Sequence, residues 1–129
     1  MILLDTHVLV WSLTEERKLS RVAHSTIRRA RASSSVAISV ITMVELASLM
    51  ERGRLHIQGT IETVVAGFTE GVTLLPITRE IAVLTAYFPP AFSRDPSDRI
   101  IAATARAEGI PLVTADLRMQ GSPHVKTIW

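Results

Sequence analysis

The chain has 129 residues, a formal net charge of +2 and no cysteine; 47% of its residues are hydrophobic and 20% are charged. These values are typical of one globular domain with a substantial core and exclude a disordered chain. The lack of cysteine excludes disulfides and thiolate metal sites and favours a cytoplasmic location. No uncharged apolar run of about 18 residues predicts a membrane span, and Asp5 interrupts the N-terminal run too early for a signal peptide.

Short runs typical of β-strands alternate with helical patterns, which predicts an α/β fold with a parallel sheet. In chain order, we expect strands near 1–5, 36–40, 72–76, 111–115 and 125–128. We expect helices near 6–13, 20–32, 41–52, 60–70, 78–87 and 96–108. Ser20 is a predicted N-cap, and glycines are predicted to end three of the helices, at Gly53, Gly71 and Gly109. The proline-rich segment 89–94 is predicted to be a loop.

Four acidic residues stand where a carboxylate is costly unless it is paired, hydrogen-bonded or bound to metal. They are Asp5, Glu45, Asp98 and Asp116. Asp5 and Asp116 end predicted strands, whereas Glu45 and Asp98 lie in the early turns of apolar helices. Ligand crevices of open parallel sheets lie beyond the carboxyl ends of the strands. The sequence therefore predicts that these acids face one crevice and share a cation.

Local structural roles compete with this interpretation. Asp5 and Asp116 also suit helix caps or turns. Asp98, at the third position of its helix, also complements the helix dipole, and Asp95 precedes a proline and is interpreted as the cap. Glu45 has no basic residue three or four positions away, so it needs a partner from elsewhere in the fold.

Small hydroxyl residues and arginines accompany the acids. Thr6 and Thr114 are predicted to support the site through hydrogen bonds, whereas Ser39 and Thr42 suit local caps at least as well. Arginines near the aspartates are candidate phosphate contacts, namely Arg94 and Arg99. Other arginines cluster at 28–31 and 52–54, and we interpret these clusters as solvated helix surfaces.

The residue types favour metal-assisted phosphodiester hydrolysis. Carboxylate oxygens suit hard cations such as Mg²⁺ or Mn²⁺, which neutralise phosphoryl charge and activate water. The histidines show no metal-ligand spacing, and the chain has no glycine-rich phosphate loop and no nucleophile elbow.

Four segments resemble, in order, the motifs of PIN-domain ribonucleases, and most closely those of VapC-type toxins of toxin–antitoxin pairs: 5–9, 39–46, 98–105 and 113–116. The resemblance implies one PIN domain over 1–129 with a three-layer α/β/α fold and a central parallel sheet. It also implies a Mg²⁺- or Mn²⁺-dependent endoribonuclease that cleaves RNA such as tRNA or rRNA. Its catalytic acids carry over to Asp5, Glu45, Asp98 and Asp116, with metal at Asp5 and Asp98 and water-mediated roles for the other two.

The same resemblance implies a cognate antitoxin as inhibitor, a homodimer and a higher assembly with the antitoxin. Three alternatives stay open from the sequence. They are a solitary PIN-domain nuclease for RNA processing, a phospho-acceptor or phosphatase domain with Asp5 as nucleophile, and a non-catalytic binding module.

Overall fold

The computed structural model describes residues 1–129 and contains the predicted alternation of strands and helices. The strands are β1 Ile2–Leu4, β2 Val36–Ser39, β3 Thr73–Leu75, β4 Leu112–Val113 and β5 Thr127–Ile128. The helices are α1 Thr6–Thr14, α2 Arg21–Ala32, α3 Val40–Glu51, α4 Ile61–Thr69, α5 Arg79–Leu84, α6 Pro96–Glu108 and α7 Leu117–Gln120. Helix α7 and the 3₁₀ turn Glu16–Lys18 were not predicted, because such short elements carry no readable periodicity. The helix predicted near 78–87 is α-helical only to Leu84 and ends as a 3₁₀ turn, Thr85–Tyr87.

All five strands are parallel and lie in the order β3-β2-β1-β4-β5. Leu3 of the central strand is in register with Ala37 of β2 on one side and with Leu112 of β4 on the other. Strands β2 and β3 lie on one side of β1, and β4 and β5, which come later in the chain, lie on its other side. The sheet order therefore reverses at β1, which is where ligands bind in open α/β sheets.

Two hydrophobic clusters cover the two faces of the sheet. Ile2 and Leu4 of β1 belong to one cluster, with side chains of α1, α2 and α4. Leu3 points to the other face and belongs to the second cluster, which draws on α5 and α6. Because both faces are covered, the central strands are buried along their whole length, as is typical of parallel sheets. The predicted three-layer arrangement is thus confirmed.

The predicted cap at Ser20 and the glycines predicted to end three of the helices are also confirmed. The Ser20 hydroxyl accepts a hydrogen bond from the backbone N–H of Ala23, and Asp95 caps α6 by accepting from Ser97. Gly109 adopts φ 66° at the C-terminus of α6, a conformation that favours glycine. No helix of the structure combines the length and the apolar character that crossing a bilayer requires.

Candidate active site

A cavity of about 440 Å³ opens at the carboxyl end of the sheet. Five carboxylate side chains line it, namely those of Asp5, Glu45, Asp95, Asp98 and Asp116. They come from the end of β1, from α3, from the start of α6 and from the end of the β4 segment. The prediction that four acids face one crevice is therefore confirmed, and the structure adds Asp95 to them. The chemical roles of these side chains stay predictions.

Asp5 is the most enclosed of these acids, with 7% of its surface exposed. Its Oδ1 accepts a hydrogen bond of 2.9 Å from the backbone N–H of Thr6 at the start of α1. Its Oδ2 accepts a hydrogen bond of 2.8 Å from the Thr114 hydroxyl. Burial raises the pKa of Asp5, and these two hydrogen bonds partly oppose that rise. Asp5 is thus both the N-cap of α1 and part of the cavity wall.

Glu45 lies half-buried on α3 and finds its partner on α1. The Thr6 hydroxyl donates a hydrogen bond of 2.6 Å to Glu45 Oε1. Thr6 also lies 3.0 Å from the Thr42 hydroxyl, which must be the donor because the Thr6 proton is already used. Burial raises the pKa of Glu45, and the negative charges of Asp5, Asp95 and Asp98 raise it further. The expectation of a partner from elsewhere in the fold is confirmed, and so is the supporting contact predicted for Thr6.

Asp98 stands in the first turn of α6 and is positioned by a serine that the sequence did not reveal. The hydroxyl of Ser93, which is 2% exposed, donates a hydrogen bond of 2.8 Å to Asp98 Oδ2. The Ser93 hydroxyl oxygen in turn accepts a hydrogen bond of 3.2 Å from the backbone N–H of Asp95. Burial raises the pKa of Asp98, and the charges of Asp5, Asp95 and Asp116 add to the rise. Ser93 lies in an irregular loop, so no periodic signal marked it.

Asp116 is the N-cap of α7, which the sequence left open as an alternative. Its Oδ1 accepts hydrogen bonds from the backbone N–H groups of Arg118, at 2.8 Å, and Met119, at 3.3 Å. Its Oδ2 lies 3.5 Å from the exposed Arg118 guanidinium, which also lines the cavity. Thr114 accepts a bond from the Asp116 backbone N–H, and thereby joins Asp5 to Asp116. Arg118 was missed because only α7 places it at the site.

The two arginines predicted to contact RNA differ in their surroundings. Arg94 is exposed and directly precedes Asp95, which lines the cavity. Arg99 instead donates hydrogen bonds to the backbone carbonyls of the loop before α6, namely those of Thr85, Phe88, Pro89 and Ser93. Because its guanidinium donates to these four carbonyls, Arg99 holds Ser93 and the loop in place, and its contact with RNA stays a prediction.

The side chains that line the cavity suit a hard cation. The protein would supply only some of the ligands of that cation. The cavity offers only oxygen donors, apart from the exposed imidazole of His7. Asp5, Glu45, Asp95 and Asp98 form no ion pair with a basic side chain, since the salt bridges lie elsewhere. No three acidic or imidazole groups lie close enough to enclose a metal ion by themselves. Mg²⁺ commonly binds through one or two carboxylates, with water and substrate phosphates completing its shell.

The comparison with known families agrees with the fold and the motifs. The sequence model of the PIN-domain family matches residues 2–121 of this chain. The chain belongs to the PIN-domain family. It is 34% identical to Ribonuclease VapC22 of Mycobacterium tuberculosis over 130 residues, which cover 99% of this chain and 98% of that protein. The resemblance stated from the motifs is therefore confirmed.

Solved structures reproduce the same PIN-domain fold at low sequence identity. VapBC2 from Rickettsia felis, bound to a DNA fragment of its promoter, matches with a TM-score of 0.74 at 16% identity, over 99% of this chain and 98% of that one. DNA-bound VapBC from Salmonella typhimurium matches with a TM-score of 0.73 at 22% identity, over 98% and 96%. At these identities the likeness shows the fold alone.

Proposed function

We propose that this PIN domain is a divalent-metal-dependent endoribonuclease. The observation that carries the proposal is the cavity that five carboxylates line at the switch point of the sheet. Most of these carboxylates have no basic partner, and burial raises the pKa of Asp5, Glu45 and Asp98. Buried carboxylates are normally paired with a positive charge or bound to a metal, so this cavity suits a cation. The ribonuclease name of the relative at 34% identity supports the same activity.

The roles that we propose for the acids are those that the family resemblance implies. Asp5 and Asp98 hold Mg²⁺ or Mn²⁺ directly, and Glu45 and Asp116 act through water. The bound cation supplies positive charge for the scissile phosphate and lowers the pKa of water. Thr114 and Thr6 orient Asp5 and Glu45 by donating hydrogen bonds, so each carboxylate presents fixed lone pairs to the cavity.

The proposed substrate is RNA, such as tRNA or rRNA, which places the activity in the cytoplasm. Arg94 is exposed and precedes Asp95 in the chain, and we assign it to a phosphate of the bound strand. Arg118 also lines the cavity, but its charge is partly matched by Asp116 at 3.5 Å. Phosphate contacts of this kind position a strand without reading its sequence.

We further propose that the protein is the toxin of a toxin–antitoxin pair and forms a homodimer that assembles with its antitoxin. The structural neighbours are VapBC complexes, which supports a partner protein. An arginine of the antitoxin can stand in for the metal in the acidic cavity. Four of the ten exposed large hydrophobic residues lie between 74 and 87, and this segment is the expected contact between two copies: Leu74, Ile77, Val83 and Tyr87.

RNA cleavage assays test the activity. The wild type is expected to cleave RNA with Mg²⁺ or Mn²⁺ and to lose cleavage with EDTA. Asp5→Asn is expected to lose at least about 100-fold in rate, because it removes a metal-binding charge. Glu62→Gln, on the exposed first turn of α4, is the matched control and should cleave like the wild type. Cleavage that survives EDTA or Asp5→Asn would contradict the proposal.

A further inference from the structure

A second cavity of about 240 Å³ adjoins the acidic one. The two share three lining residues, namely His7, Glu45 and Asp95. The second cavity continues along α3 past Ser48 to Arg52, at the C-terminal end of the helix. The two cavities are therefore neighbours, and a strand bound at the acids passes close to the second one.

Arg52 faces the same side of α3 as Glu45. Arg52 follows Glu45 by seven positions, which is nearly two full helical turns or about 10 Å along the axis. The Arg52 guanidinium donates a hydrogen bond of 2.9 Å to the Ser48 hydroxyl, one turn earlier. It forms no ion pair with any acid, and it is the only lysine or arginine in the walls of this cavity. Its charge is therefore oriented and free to meet an anion.

The electrostatics of the site require such a cation. A nucleic acid strand carries a negative charge at each nucleotide, and Glu45 and Asp95 repel any phosphate that enters the second cavity. A metal among the acids offsets repulsion at the scissile phosphate only. A cation beyond Glu45 is needed for the next phosphates of the strand, and α3 supplies one on a rigid element that also carries an active-site acid.

We propose that Arg52, oriented by Ser48, binds a phosphate of the RNA strand that flanks the scissile one. This inference rests on the proposed ribonuclease activity and adds a second anchoring point for the substrate. It replaces the interpretation of Arg52 as a merely solvated residue. Arg54, two positions further on, is exposed and lines neither cavity, so it retains that interpretation.

The test compares Arg52→Gln with the matched control Arg54→Gln in Mn²⁺-dependent cleavage of an RNA oligonucleotide at several salt concentrations. Both variants lose one positive charge, and glutamine can keep the hydrogen bond to Ser48. We expect Arg52→Gln to raise KM roughly five- to twentyfold with kcat unchanged, because a flanking contact binds substrate and transition state alike. The slope of log KM against log salt should shrink by about 0.7, the value for one phosphate contact on a single strand. Arg54→Gln should leave both quantities near the wild-type values.

Oligonucleotides with one neutral methylphosphonate at successive positions locate the contact. At one position beside the cleavage site, the methylphosphonate should weaken RNA binding by the wild type but not by Arg52→Gln. If the wild type cleaves RNA and the two variants behave alike, the phosphate contact is refuted while the activity stands. If Arg52→Gln cleaves normally but weakens binding of a partner protein, Arg52 belongs to a protein interface and the inference is wrong. If the wild type cleaves no RNA, the proposed function is wrong, and this inference, which depends on it, is wrong as well.

Discussion

The hydrogen bond from Thr114 to Asp5 is the contact whose loss tests the site most sharply. Its donor is fully buried and its acceptor is 7% exposed, so water cannot replace the hydroxyl in a Thr114→Val variant. A hydrogen bond to a charged group is worth about 1.5–3 kcal/mol. In a domain of this size that corresponds to a fall in Tm of roughly 5–15 °C at neutral pH without metal.

The size of this loss should depend on pH. Burial raises the pKa of Asp5, and the Thr114 hydroxyl opposes that rise, so valine raises the pKa further. A group whose folded pKa is raised stabilises the native state below its unfolded pKa, and this stability is lost as pH rises through the folded pKa. In the Thr114→Val variant the folded pKa of Asp5 is higher than in the wild type, so the free energy of unfolding continues to fall up to a higher pH. The deficit relative to the wild type should therefore widen as pH rises from mildly acidic to neutral.

Thermal melts in EDTA between about pH 4 and pH 8 measure this deficit. The control is Thr73→Val, at an exposed strand position where the hydroxyl makes no hydrogen bond, and its Tm should stay close to that of the wild type. A Thr114→Val deficit that stays constant with pH, or that is no larger than that of Thr73→Val, would refute this account of Asp5.

Three further predictions concern neighbouring residues. Asp98→Asn should abolish metal-dependent RNA cleavage, whereas Asp95→Asn should retain much of it because asparagine caps α6 equally well; the reverse pattern would show that Asp95 holds the metal. In EDTA at neutral pH, Asp5→Asn should melt at or above the wild-type Tm but gain little from millimolar Mn²⁺, and a full gain would contradict a metal at Asp5. Arg99→Gln should lower Tm by several degrees because it breaks the loop contacts, while Arg94→Gln should not; equal melting would remove the distinction between them.

Much of the architecture could be predicted because it follows from short-range chemistry. Apolar runs marked the strands, and Ser20 and the helix-ending glycines marked the helix boundaries. One local rule correctly predicted that Asp95 caps α6, since it precedes the proline at the first helical position, but the rule did not reveal that Asp95 also lines the cavity. The order of the strands was not predicted, because it depends on long-range packing rather than on local patterns.

The parts of the site that were missed depend on irregular structure. Ser93 reaches Asp98 from a loop whose carbonyls accept hydrogen bonds from Arg99, and nothing in the spacing of residues 85–99 indicates these contacts. Arg118 reaches the cavity only through α7, a helix of four residues. The contacts of Arg99 with this loop were likewise not predicted, because its closeness in sequence to the aspartates did not reveal the direction of its side chain.

The central claim is that the carboxylates of this cavity share a divalent cation. Electron paramagnetic resonance of Mn²⁺ titrated into the protein tests it without any assumption about the RNA substrate. We expect a saturable site in the wild type and in the exposed control Glu62→Gln, and its loss in Asp5→Asn and in Asp98→Asn. Mn²⁺ binding by the wild type that is no stronger than binding by Asp5→Asn would contradict the claim.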